Sequence, residues 1–136
     1  SMPVVFVQHS DPDGPLERST NGWRIRDEIA PRVGEPVVEK TAPDSFFGTT
    51  LSAELDKAGA KTLIVAGCRT EYCIDTTVRR AVSLGYDVTL VSDGHMTADS
   101  GALTFDQIIA HHNRTLHGFG AGNHAVRAMP TESVVD

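Results

Sequence analysis

The sequence predicts an α/β protein, three layers built around a mainly parallel, doubly wound sheet. Three observations lead there. Short apolar, largely β-branched runs without period-2 alternation occur at Val4-Val5-Phe6-Val7, Thr62-Leu63-Ile64-Val65-Ala66 and Val88-Thr89-Leu90-Val91, as in strands buried on both faces. Between the last two runs, Ile74, Val78, Ala81 and Val82 mark one stripe of a helix. Strand, helix and strand in that order imply parallel pairing through right-handed crossovers.

The elements follow in order. The first run ends at Gln8-His9, and residues 10–36 then carry prolines, glycines and charges. That segment reads as a long loop with a short turn of helix near residues 23–29. A loop of this length in a compact domain covers a site or reaches a partner. Val37-Val38 begins a second, short strand leading to Lys40. Thr49 or Thr50 caps a helix through Ala58, with Gly59 closing it and Leu51 and Leu55 on its inner face. The strand at 62–66 stops at Gly67, and a helix runs from about residue 71 to 84, closed by Gly85. Thr104-x-x-Gln107 is a capping box ahead of Ile108, Ile109, His112 and Leu116. A last strand is expected over residues 125–129. With no internal repeat, all of residues 1–136 read as one domain.

Composition narrows the function. Of 136 residues, 40% are hydrophobic and 22% charged, which is ordinary globular usage. A formal charge of -6, with only Arg79 and Arg80 adjacent among the cations, gives no surface for nucleic acid. No apolar run approaches the ~20 residues of a membrane span, and no signal peptide opens the chain. Ser1 ahead of Met2 reads as a remnant before a start methionine. Cys68 and Cys73 do not make a disulfide framework, so free thiols in the cytoplasm are expected. No G-x-G-x-x-G or P-loop is present and no His/Asp/Cys spacing suits a metal, so neither cofactor nor metal is expected.

In open parallel sheets, sites gather beyond the carboxyl ends of the strands. His9 and Asp11 follow the first strand, Lys40 the second, Cys68 to Cys73 the third, and Asp93 and His95 the fourth. If Thr70 is an N-cap, Cys73 lies in the first helical turn. The helix dipole and unpaired N–H groups there favour a thiolate, and the same N–H groups can hold an oxyanion. A small buried hydrophobe is the alternative reading of Cys73, and Cys68 reads as structural. Lys40 is either a solvated strand-end lysine or a cation that favours the thiolate or orients a carboxylate. His9 and His95 are substrate contacts or simply polar loop residues, and His112 belongs to an apolar helix face.

The stretch Val65-Ala66-Gly67-Cys68-Arg69-Thr70-Glu71-Tyr72-Cys73-Ile74-Asp75-Thr76-Thr77 resembles the nucleophile motif of isochorismatase-like cysteine hydrolases. Gly34-Glu35-Pro36-Val37-Val38-Glu39-Lys40, followed by Asp44-Ser45-Phe46 and Thr50-Leu51, is similar to the segment carrying that family's catalytic lysine. Gly85-Tyr86-Asp87-Val88-Thr89-Leu90-Val91-Ser92-Asp93 and Ile108-Ile109-Ala110-His111-His112-Asn113 match its later run. The resemblance is strongest to the streptothricin-hydrolase-like branch. It implies a Cys-Lys-Asp triad, with Cys73 the nucleophile and Lys40 its cation. It also implies an oxyanion site at the backbone of Arg69, Thr70, Tyr72 and Cys73, and substrate contacts from His9, Phe46 and His95.

The resemblance further implies hydrolysis of a C–N bond in a small amide through an acyl-thioenzyme, with no metal or other cofactor. A cis peptide just ahead of the nucleophile would fall at Arg69–Thr70. Family members begin with a strand ending in the general-base aspartate. Here Val4-Val5-Phe6-Val7 matches the family's second strand, so neither Asp11 nor Asp13 takes that role, and a late start, a truncated gene or a swapped dimer would account for it. The expected partners are a small-molecule amide and a second copy of the chain, as a homo-oligomer, with no nucleic acid and no membrane. The competing reading is a catalytically impaired remnant of the family that binds a ligand or assembles with partners. A redox role is disfavoured, because Cys68 and Cys73 do not have C-x-x-C spacing.

Overall fold

The computed structural model describes residues 2–135. They form two compact units that divide between Ala60 and Lys61.

In the first unit, β1 (Phe6–His9) and β2 (Val37–Lys40) pair in parallel, with Phe6 opposite Val37 and His9 opposite Lys40. Along β2 the side chains alternate, so Val38 and Lys40 are buried while Val37 and Glu39 are exposed. The expectation that β1 is buried on both faces does not hold, since Val7 is exposed. A two-stranded ribbon leaves an edge and much of a face open. The long loop contains a single 3₁₀ turn, Asp27–Ile29. Trp23 ties the loop to the end of β1: its carbonyl accepts the Gln8 amide at 2.7 Å and its indole N–H donates to the buried Ser10 hydroxyl at 2.7 Å. Helix α1 (Leu51–Lys57) follows, with Leu51 and Leu55 buried as their spacing predicts.

The second unit is a four-stranded sheet in the order β3 (Thr62–Cys68), β4 (Asp87–Met96), β6 (His124–Met129), β5 (Gly120–Ala121). The pairings β3–β4 and β4–β6 are parallel, and β5–β6 is antiparallel. Val88, Leu90 and Val126 are fully or nearly fully buried along this sheet. Helix α2 (Asp75–Ser83) buries Val78, Ala81 and Val82, and Ile74 just ahead of it, which is the predicted stripe. Helix α3 (Phe105–Leu116) starts at the predicted capping box, with Thr104 and Gln107 bonded reciprocally. A short α4 (Thr131–Val134) follows β6. Both α1 and α2 end in Schellman turns: Ala60 N–H reaches the Leu55 carbonyl and Tyr86 N–H the Ala81 carbonyl. These turns need the positive φ of Gly59 and Gly85.

The α/β class and the predicted strand and helix order hold. The main departure is in β4, which extends through Met96 rather than stopping at Val91. Its register against β3 jumps from Val65–Leu90 to Gly67–His95 and Cys68–Met96. Polar Asp93 and His95 around Gly94 read as loop in the sequence, but a bulge there lets the ladder resume. Gly94 fits that bulge, because an added Cβ would meet the Val91 side chain at 2.7 Å. No helix among the described residues is long and apolar enough to cross a membrane.

Candidate active site

Gly67 sits at φ 135, a conformation L side chains rarely adopt, and turns β3 toward a one-turn π-helix, Thr70–Ile74. That turn runs directly into α2, and Cys73 lies within it, half-buried and in no disulfide. Cys68, at the end of β3, is exposed. The Arg69 carbonyl receives the N–H groups of both Tyr72 and Ile74. The Arg69 guanidinium stacks 5.1 Å from the Tyr72 ring centre.

Two expectations about this turn need correction. Thr70 is not the N-cap: Arg69 holds that position with extended backbone and no side-chain cap bond. The Thr70 hydroxyl is committed elsewhere, to a histidine. The cis peptide bond is Cys68–Arg69 rather than Arg69–Thr70. The turn starts one residue earlier than expected, since β3 ends at Cys68 and Thr70 already belongs to the helical turn.

Behind the turn runs a buried hydrogen-bond chain. Thr70 is 0% exposed and His95 5%. Thr70 Oγ1 lies 2.8 Å from His95 Nδ1, and His95 Nε2 lies 2.8 Å from Asn113 Oδ1. Asn113 Nδ2 donates to the Ser92 carbonyl at 2.9 Å, which fixes its Oδ1 as the acceptor facing His95. His95 therefore carries its proton on Nε2, accepts on Nδ1, and receives the Thr70 hydroxyl proton. Both ring nitrogens are used, so His95 has none left for a substrate. Its role is to hold the turn that carries Cys73. On the outer side, the Thr97 hydroxyl donates to Glu71 and accepts from Arg69 Nε at 3.2 Å. Glu71 Oε2 is buried without a hydrogen-bond partner among the described residues.

In the first unit the second polar cluster is centred on Lys40, a side chain of a residue only 5% exposed. Its ammonium donates to His9 Nδ1 at 2.8 Å and to the Ala42 carbonyl at 3.0 Å. His9 Nε2 lies 2.7 Å from Asp11 Oδ1. The reading of Lys40 as a solvated strand-end lysine is therefore overturned, because the β2 alternation turns it inward. Phe46 is half-buried, its N–H held by the Asp44 carboxylate at 2.9 Å. Asp93 is bonded elsewhere: its carboxylate accepts the hydroxyl and N–H of Thr131 at the start of α4. Those bonds, the hydroxyl first, hold its carboxyl below the ordinary range.

Sequence reasoning placed Asp11 at a strand end without giving it a role, and met Asn113 only inside a run that resembles the family. The parallel pairing of two strands that end in His9 and Lys40 was the available signal for the first cluster. Asn113 meets His95 where β4 continues past its bulge, a pairing no local pattern reports. No group of His, Cys, Asp and Glu among the described residues is arranged to hold a metal ion.

A parallel sheet whose strand-to-helix turn carries a half-buried cysteine outside any disulfide defines an α/β protein with a candidate thiol nucleophile. The chain belongs to the isochorismatase family, whose domain matches residues 1–110. It is 39% identical over 95 residues to a secreted isochorismatase effector of Verticillium dahliae, covering 68% of this chain and 50% of that protein. It is 39% identical over 97 residues to a streptothricin hydrolase of Streptomyces noursei, covering 71% of this chain and 35% of that protein. The chain thus spans about half or less of the length of these relatives. Its fold matches an isochorismatase from Pseudomonas putida with a TM-score of 0.86 at 30% identity, covering 96% of this chain and 68% of the other.

Proposed function

We propose that the chain is a cysteine hydrolase that cleaves a C–N bond of a small amide, with Cys73 as nucleophile. The observation that carries this reading is the place of Cys73, half-buried in a helical turn directly after β3, at the carboxyl end of the parallel strands. The Cys73 thiolate adds to the substrate carbonyl carbon. Backbone N–H groups of Arg69, Thr70 and Cys73 stabilise the oxyanion, the Tyr72 N–H being spent on the Arg69 carbonyl; the C–N bond then breaks and the amine leaves with a proton taken from water. The acyl-thioenzyme is then opened by water to release the acid. In this reading Lys40 is the catalytic lysine and Phe46 a substrate contact, roles that rest on the likeness of their segment to the family's lysine segment. No cofactor takes part.

Membership of a family that includes a streptothricin hydrolase supports the class of reaction. Two cysteines outside any disulfide suit a reducing cytoplasm. Exposed Val7, Val37 and Ile64 on the strands support assembly as a homo-oligomer.

The test is acyl trapping on a panel of small primary and cyclic amides together with an activated ester. Intact mass and peptide mapping should show one acyl group, on Cys73, that water removes. Cys73→Ala should lose at least ~1,000-fold in turnover. A Cys73→Ala protein that hydrolyses amides as fast as the parent refutes the assignment.

A further inference from the structure

We propose that His9 and Asp11 form a positioning relay for Lys40, in which His9 holds the ammonium and Asp11 fixes the histidine tautomer. The inference deepens the hydrolase reading and rests on it for its kinetic consequence. It starts from strand register. His9 and Lys40 are opposite each other at the carboxyl ends of β1 and β2, so their side chains emerge side by side on one face. A protonated lysine only donates, so His9 Nδ1, 2.8 Å away, must accept. The single proton of a neutral imidazole then sits on Nε2, where Asp11 Oδ1 receives it at 2.7 Å. Each of the two hydrogen bonds in Asp11–His9–Lys40 then joins one donor to one acceptor, and reversing the histidine tautomer would break both at once.

The surroundings hold this relay from both sides. Gln8 and Ser10, which flank His9, are each bonded to Trp23 at 2.7 Å. Ser10 N–H also reaches the Lys40 carbonyl at 2.8 Å, and Asp11 N–H the Leu16 carbonyl at 3.0 Å. The long loop after β1 therefore pins the two residues that hold Lys40. A flexible lysine has four rotatable bonds and loses much entropy when fixed. His9 and the Ala42 carbonyl fix it, and a misplacement of ~1 Å in a catalytic group can cost ~100-fold in rate.

Three variants test the relay: His9→Ala, Asp11→Ala, and His9→Gln, whose amide can accept from Lys40 and donate to Asp11 as imidazole does. The first readout needs no turnover. Trace acetylation with acetic anhydride, followed by peptide mass mapping, compares Lys40 with the exposed Lys57 and Lys61. Lys40 should label slowly in the parent protein and at least ~5-fold faster in His9→Ala and Asp11→Ala. In His9→Gln it should stay within ~2-fold of the parent. The second readout is amide turnover. For His9→Ala kcat should fall ~10- to 100-fold with KM within ~3-fold, and His9→Gln should recover at least ~10-fold of that loss.

Unchanged Lys40 labelling in His9→Ala overturns the relay, as does a His9→Gln protein that behaves like His9→Ala in both readouts. A rise in KM at unchanged kcat would make His9 a substrate contact and also overturn it. If the parent turns over no amide at all, the hydrolase reading falls, and the labelling result alone decides the relay.

Discussion

Replacing Thr70 by valine is the sharpest probe of the turn that carries Cys73. Valine matches threonine in shape, so no cavity opens at a position that is 0% exposed. What is lost is the hydroxyl proton given to His95 Nδ1 at 2.8 Å. His95 is 5% exposed and its Nε2 is held by Asn113, so the ring cannot turn to find another donor. A buried acceptor left unpaired costs about 1–3 kcal/mol. With an unfolding entropy of roughly 0.3 kcal/mol/K for a chain of this size, the melting temperature should fall by ~3–10 °C. Thermal melts followed by circular dichroism measure this, with Thr70→Ser as a control that keeps the hydroxyl and loses one methyl, at ~1 kcal/mol. A double-mutant cycle with His95→Leu should give a coupling of at least ~1 kcal/mol. If Thr70→Val stays within ~0.5 kcal/mol of the parent, or the coupling is zero, the chain behind the turn is not what holds it.

Four further outcomes follow from the same geometry. Iodoacetamide at neutral pH should modify Cys73 faster than Cys68, although Cys68 is the more exposed of the two; peptide mapping over time decides, and a faster Cys68 removes the case for an activated thiol. Gly67→Ala should destabilise by about 1–3 kcal/mol in urea unfolding, because φ 135 is closed to alanine; a neutral result would mean the turn can rearrange. Trp23→Phe deletes one hydrogen bond to the buried Ser10 hydroxyl and should cost ~1 kcal/mol, read from the urea midpoint. Asp93 has its carboxyl held low by Thr131, so its contribution is present above the ordinary value near 3.8 and is lost as pH falls through the lower folded value. An NMR titration of the α4 amides should show that loss in acid and its absence in Asp93→Asn, whereas a carboxyl titrating above its ordinary range contradicts the bond.

Much of the fold was legible because its signals are local. The stripe at Ile74, Val78, Ala81 and Val82 and the box at Thr104 and Gln107 each depend on residues within two turns of helix, and both appear as read. The turn at Cys73 was legible in kind, since strand, glycine and helix follow directly in sequence. Its details were not. Thr70 has the chemistry of an N-cap, and whether it caps depends on what lies 25 residues away. His95 arrives there only through the bulge at Gly94, and a bulge is a matter of pairing register that no local pattern reports.

Both histidines read as possible substrate contacts, and both turn out to be the middle member of a hydrogen-bonded chain. His9 stands between Lys40 and Asp11, and His95 between Thr70 and Asn113. In each, Nδ1 accepts and Nε2 donates. The reason the sequence misleads is the same in both. Position at a strand end says that a side chain can reach the site, but availability depends on how many of its lone pairs and protons are already spent. Imidazole has one of each, so two neighbours exhaust it. A histidine so engaged acts through what it holds, and the residues held here, Lys40 and the turn of Cys73, are the two on which the proposed chemistry depends.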